Sequence, residues 1–157
     1  MSEENKAMVR RFVEAINADK ENAAVEELFA PRAARWVTQL FAEFRSAFPN
    51  LHEEVVELVA EGDTVAGRFR CSGTHLGKFP TGKRMEVEEV FFLRAEDGKF
   101  VDFWALEDSL GRMRQLGLLL NWVSYYRAPE LLRTPLLLRA SVNSAERKAE
   151  GRSRIAS

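Results

Sequence analysis

The sequence predicts an α+β fold in which helices come first and an antiparallel sheet follows. Two observations carry this expectation. Up to Phe48 the apolar residues recur at helical spacing. From Leu51 to Glu107 the chain changes to strand-like runs separated by short polar breaks, Gly62-Asp63 and Glu96-Asp97-Gly98, which read as hairpin turns. With no internal repeat, the simplest architecture is a meander with the helices on one face of a curved sheet.

Residues 2–17 are the first helix: Glu3 and Glu4 suit its first turn, and Met8, Phe12 and Ile16, with Val9 and Val13 beside them, form one apolar stripe. After a break at 17–20, residues 21–29 form a shorter helix with Val25, Leu28 and Phe29 inward. Pro31 marks its end or the start of the next. A third helix spans 33–48, with Trp36, Leu40, Phe44 and Phe48 at i, i+4 spacing and Val37 and Phe41 alongside. Pro49-Asn50 ends it. Strands come next at 51–61 and 64–77, then the loop Lys78–Lys83, then a strand at 84–94.

Side chains alternate along a strand. Val65, Gly67, Phe69, Cys71, Gly73 and His75 therefore share one face, with Arg68 and Arg70 opposite. Met85, Val87, Glu89, Phe91 and Leu93 share another. The fourth strand starts at Lys99 and puts Asp102, Trp104, Leu106 and Asp108 on one face, Val101, Phe103, Ala105 and Glu107 on the other. Helix is expected from about Leu110 to Tyr126, and Pro129 and Pro135 interrupt the chain beyond it. The expected organisation is a domain over 1–117, a helical extension over 118–140 and a disordered basic tail over 141–157.

The chain has 157 residues, 46% hydrophobic and 30% charged, enough for a single core. Its net charge of −1 argues against a nucleic-acid binder, and the charge is unevenly spread. Residues 127–157 hold 7 Lys/Arg and 3 Asp/Glu, net +4, which leaves 1–126 at −5. One cysteine, Cys71, allows no intrachain disulfide, and two histidines without E-x-x-H or H-x-H spacing give no metal site. No apolar run has the length of a membrane span and the start of the chain lacks a signal-peptide core, so a cytoplasmic protein is expected.

Several residues are candidates for chemistry. Asp108 ends a strand beside Trp104. In an apolar pocket such a carboxyl gains proton affinity and can serve as a general acid/base, whereas at the start of the next helix it is a cap. Glu89 stands on an otherwise apolar strand face, as a second pocket acid or, with a shift of register, as a solvated neighbour of Glu88. His75 orients a substrate oxygen or is a hydrogen-bonded rim residue. Cys71 is a small core residue with no activating partner. Glu53, Glu54 and Glu57 form a solvated or dimer-facing sheet surface. Trp36, Phe44, Phe91 and Trp104 are core residues, some of which can line a pocket.

The segments NKAMVRRFVEAIN, VEELFAP, AFPNL with VAEGDTVAGRF, GTHLGKF with PTGKR, and EDGKFVDFWALEDSLGRMRQLG together resemble the SnoaL-like polyketide cyclase/ester cyclase family over about residues 5–117. The resemblance implies a nuclear-transport-factor-2-like cone, a sheet curled around a largely apolar pocket closed by helices. It also implies an intramolecular aldol ring closure without metal or cofactor. The family's acid at the end of W-x-x-x-D corresponds to Trp104 and Asp108, and His75 lies in its G-T-H segment. On this basis Asp108 and His75 are the expected catalytic residues, and Trp104, Glu89, Phe91, Trp36 and Phe44 the expected substrate contacts. The partner is a hydrophobic small molecule, with a homodimer through the sheet. Two differences stand out. Pro31 leads almost directly into the third helix, where family members carry a short strand and a polar stretch, and Phe103 stands where histidine often precedes the tryptophan. The rival expectation is a non-catalytic ligand-binding or dimerisation module of the same fold.

Overall fold

The structure, a computed structural model, describes residues 2–118. Three helices, α1 (Ser2–Asn17), α2 (Glu21–Leu28) and α3 (Pro31–Ala47), precede strands β1 (His52–Glu61), β2 (Thr64–Thr74), β3 (Arg84–Glu96) and β4 (Lys99–Glu107), and α4 (Ser109–Leu116) comes last. The strands pair antiparallel in the order β1-β2-β3-β4. This is the helices-then-meander pattern that the hydrophobic periodicity requires. Among the described residues no helix is long and apolar enough to cross a membrane.

The core lies between the helices and the inner face of the sheet. Val9, Phe12, Val13 and Ile16 of α1 and Ala33, Val37 and Phe41 of α3 meet Val65, Phe69, Met85, Val87, Phe91 and Leu93. Edge-to-face rings join the helical segments, Phe12 against Phe29 (5.0 Å) and Phe41 (5.3 Å). The stripe of α3 is phased one position away from expectation: Val37 and Phe41 are buried, while Trp36 is 47% exposed. The helix-to-helix passage at residues 29–30 leaves a single parallel bridge, Phe29 to Phe100, in which the Ala30 amide donates to the Phe100 carbonyl (2.9 Å).

Arg45 ties the corner where α1, α2, α3 and β1 meet. It pairs with Asp19 (2.8 Å) and with Glu21 (3.1 Å), and donates to the carbonyls of Ile16 (2.7 Å) and Leu51 (3.3 Å). β1 is an edge strand, and Asn17 closes its free side. The Asn17 amide donates to the Glu53 carbonyl and the Glu53 amide donates to Asn17 Oδ1, both at 2.8 Å.

The structure corrects the C-terminal helix. It ends at Leu116 because Gly117 takes a left-handed conformation (φ 73°) and donates to the Arg114 carbonyl. The rest of the expected helix to Tyr126, the helical extension over 118–140 beyond Leu118, and the tail over 141–157 lie outside the described residues.

Candidate active site

Each of the four strands carries one polar side chain onto the inner face, and the four form a diagonal row. Glu53 on β1 is paired with Cys71 on β2. Glu89 on β3 lies opposite Phe69, two places from Val87, the partner of Cys71. Glu89 in turn faces Glu107 on β4. The polar atoms of Glu53, Cys71 and Glu89 all lie within 4.8 Å of one another. Above this row is a cavity of about 170 Å³. Its roof is Trp36, Leu40, Phe41 and Phe44 of α3, with Leu51 before β1. Its floor is Phe91 and Ala105, and Glu53, Glu89 and Glu107 open into it.

Burial sets the electrostatics. Glu89 is 6% exposed. Desolvation first, then the nearby Glu107 carboxylate, push its carboxyl up to about 7, against the opposing pull of the Cys71 thiol and the Arg112 guanidinium. Glu53 is 3% exposed. Desolvation, followed by the charge of Glu89, raises its carboxyl well above the usual range, although contact with Cys71 works the other way. Its Oε2 has no hydrogen-bond partner among the described residues. The Cys71 thiol is pushed up by burial and then by the charges of Glu53 and Glu89, so it stays a thiol.

Glu107 is compensated. Arg112 Nε donates to both its oxygens (3.0 and 3.2 Å), the Arg112 Nη2 adds a third bond, and Ser109 Oγ donates to Oε1 (3.0 Å). The same guanidinium lies 5.5 Å over the Phe44 ring, at the cavity wall. α4 holds Arg112 in place because it is anchored to β3. The Asp108 amide donates to the Glu88 carbonyl (3.2 Å), and the Gln115 side chain makes two bonds to the Glu86 backbone (2.7 and 2.8 Å).

The structure places the two expected catalytic residues and one expected contact outside the cavity lining. Asp108 is exposed and caps α4: its Oδ1 accepts from the Gly111 amide at 2.8 Å. A side chain on Gly111 would collide with the carboxyl, since an added Cβ would lie 2.1 Å from Asp108 Oδ2. His75 is not in the cavity wall. Its ring packs on Phe48 (5.4 Å between centroids), and its Nδ1 accepts from the Thr81 amide (3.3 Å), which closes the loop before β3. Trp104 lies on the outer face, 51% exposed, edge-to-face with Phe92 (5.7 Å). The inner face of β4 is the set with Phe103, Ala105 and Glu107. Glu89, Phe91, Trp36 and Phe44 line the cavity.

Glu53, expected on a solvated or dimer-facing sheet surface, is buried on the inner face, and it was missed together with Glu107 and Arg112. Its signal was the parity of Leu51, Glu53 and Val55, which puts a carboxylate between two apolar residues on one face as in β3. Glu53, Cys71 and Glu89 are also close enough to meet around a cation, from three separate strands rather than one spaced motif. The raised thiol opposes this, because a metal takes the thiolate.

Known proteins give this geometry a family. Aklanonic acid methyl ester cyclase DnrD of Streptomyces peucetius is 30% identical over 134 residues, 70% of this chain and 88% of that protein. Among solved structures, AclR of Streptomyces galilaeus, a candidate hydroxylase, superposes with a TM-score of 0.70 at 29% identity, over 76% of this chain and 100% of that one. IdmH of Streptomyces antibioticus, a candidate polyketide cyclase, gives 0.65 at 25% identity, over 72% and 98%. Residues 2–116 match the profile of the SnoaL-like polyketide cyclases, and the chain belongs to that family.

Proposed function

We propose that the protein is a cyclase-type enzyme that acts, with side-chain acid–base groups alone, on a hydrophobic carbonyl compound held in the α3-roofed cavity. Glu89 is the acid/base. The single observation behind this reading is a buried carboxyl on the cavity floor whose proton affinity lies near neutrality, so that both of its forms are present at working pH. Its carboxylate takes a proton from the carbon α to a carbonyl. The carbanion, as its enolate, attacks a second carbonyl of the same molecule and forms the new C–C bond. The protonated Glu89 returns its proton to the resulting alkoxide, so no atom is lost. The apolar walls exclude water from the enolate, and the Arg112–Glu107 pair keeps a second free carboxylate from pushing Glu89 higher still.

The test is turnover of aklanonic acid methyl ester, the compound named for the Streptomyces peucetius relative, together with hydrogen–deuterium exchange at activated C–H bonds of simpler ketones. Glu89→Gln is expected to lose both, whereas Asp108→Asn, which preserves the cap, retains them. Exchange at the wild-type rate in Glu89→Gln sinks this assignment.

The outer face favours a second copy of the chain as partner. Val59, Ala66, Phe92 and Trp104 are consecutive cross-strand partners and make one apolar row over all four strands. Light scattering of Phe92→Arg against wild type tests it: a dimer reduced to a monomer is the expected result, and a monomeric wild type removes the idea.

A further inference from the structure

The geometry points to Glu53 as the hydrogen-bond donor that receives a carbonyl oxygen of the substrate, and to a compact ring system with a ketone or ester carbonyl beside an acidic C–H as the ligand of this cavity. The inference rests on the reading of Glu89 as the base. It adds what holds the oxygen while the carbon loses its proton.

Glu53 lines the cavity, and its Oε2 is buried without a hydrogen-bond partner among the described residues. A buried polar atom left unpaired is costly, and native folds rarely leave one without a use. Escape would be simple, since Glu53 is on an edge strand and its neighbours His52 and Glu54 are exposed. The fold prevents it: the Asn17 side chain grips both the amide and the carbonyl of Glu53 and fixes which way the residue faces. A molecule in the cavity can then satisfy the oxygen.

The surroundings decide whether it donates or accepts. The groups that act on the Glu53 carboxyl are Glu89, Cys71 and Glu107, and none is cationic. Arg45, which reaches the Leu51 carbonyl two residues before Glu53, spends its donors on Asp19, Glu21 and backbone carbonyls. Arg112 is engaged by Glu107. Burial next to other acids favours the protonated, neutral carboxyl, as the direction of its shift also says. A neutral carboxyl carries an O–H and seeks an acceptor, and a carbonyl oxygen is one.

The spacing fits enolisation. A carbonyl oxygen and its α-carbon are about 2.4 Å apart, and each needs its partner at about 3 Å. Two carboxyls whose oxygens lie within 4.8 Å of each other can serve both atoms at once. Volume limits the rest. A cavity of about 170 Å³ is close to the roughly 150 Å³ that accepts a benzene ring, so one or two rings enter. Anything larger extends past Trp36, which is half exposed at the roof.

The experiment uses the isosteric pair 1-tetralone and tetralin, which differ in the carbonyl, with the full-length chain. Calorimetry is expected to show tetralone bound about tenfold more tightly than tetralin by wild type, the value of one buried hydrogen bond. Glu53→Gln, which keeps a donor, retains most of that preference. Glu53→Met, which keeps the shape, binds the two ligands alike, and bound tetralone no longer shows the lowered carbonyl stretching frequency seen with wild type. A preference that survives Glu53→Met, or equal binding by wild type, overturns the inference. Deuterium exchange at tetralone C2 separates the two readings. If it persists in Glu89→Gln while Glu53→Met loses the preference, the base is misassigned and the donor stands. If wild type binds neither ligand, both readings fall. Melting curves report that the variants fold.

Discussion

The two faces of the sheet carry the same kinds of side chain under opposite rules. On the outer face, Arg70 pairs with Glu54 (2.8 Å) and Glu88 (3.4 Å), and Arg68 with Glu88 (3.3 Å), all in contact with solvent. Here charge is inexpensive, and its pairing is worth little. On the inner face Glu53, Cys71 and Glu89 meet with no basic residue among them, and Arg112, which acts on Glu89, is committed to Glu107. Glu88 and Glu89 are adjacent in sequence, yet Glu88 is exposed while Glu89 is buried, and burial pushes Glu89 up to about 7. Position on the pleat, not residue type, separates scaffold from chemistry.

The sharpest break between the faces should come from adjacent phenylalanines on β3. Phe91 is 3% exposed and stacks on Phe69 at 4.3 Å, while Phe92 is 46% exposed. Phe91→Ala is expected to cost about 3–5 kcal/mol in urea unfolding, and Phe92→Ala about 1 kcal/mol in the same measurement.

Next in size is the effect of pH. Glu89 holds its proton more tightly when folded, with an ordinary value of 4.5 against about 7. Between those values the unfolded chain has lost a proton that the folded chain keeps. Stability therefore falls as pH rises across that window, by about 3 kcal/mol at most, and levels off above it. Melting temperatures from pH 4 to 8 should show this decline, and Glu89→Gln should flatten it, with residual slope from Glu53. For activity the sign is reversed: rate rises through about pH 7 as the base is unmasked. Arg112→Met removes the charge that pulls Glu89 down and frees Glu107, so this rise should move to higher pH, by about one unit in kcat/KM profiles.

Smaller effects complete the series. Asp108→Ala should cost about 1 kcal/mol, through loss of the α4 cap, and Asp108→Asn much less. Glu88→Gln on the outer face should stay within about 0.5 kcal/mol in the same unfolding measurement.

These contrasts also explain what could be read from the sequence. The helices and hairpins were legible because each is written in local spacing: the Met8-Phe12-Ile16 stripe, the Gly62-Asp63 break, and the Asp97-Gly98 turn, whose two residues both have positive φ. Glu89 was legible because a lone acid interrupts four apolar positions, Met85, Val87, Phe91 and Leu93. β4 was harder. Both of its faces carry large apolar residues, Phe103 on one and Trp104 and Leu106 on the other, so parity sorts the residues without saying which set faces inward. An irregularity opposite Arg94 and Ala95 adds a further shift. Glu53 was hidden by a bulge between Val55 and Glu57, which breaks the alternation of β1 and makes Glu53, Glu54 and Glu57 look like one polar surface. Asp108 satisfies both a pocket and a cap in one dimension, and only the path of α4 decides between them.

The Asn17 clamp has one more consequence. An edge strand offers its free amides and carbonyls to any passing chain, and long unprotected edges invite self-association into larger sheets. By occupying both backbone groups of Glu53, Asn17 plugs the edge of β1 at the residue that borders the cavity. The side chain that aims an acid into the pocket is thereby also a guard against misassembly.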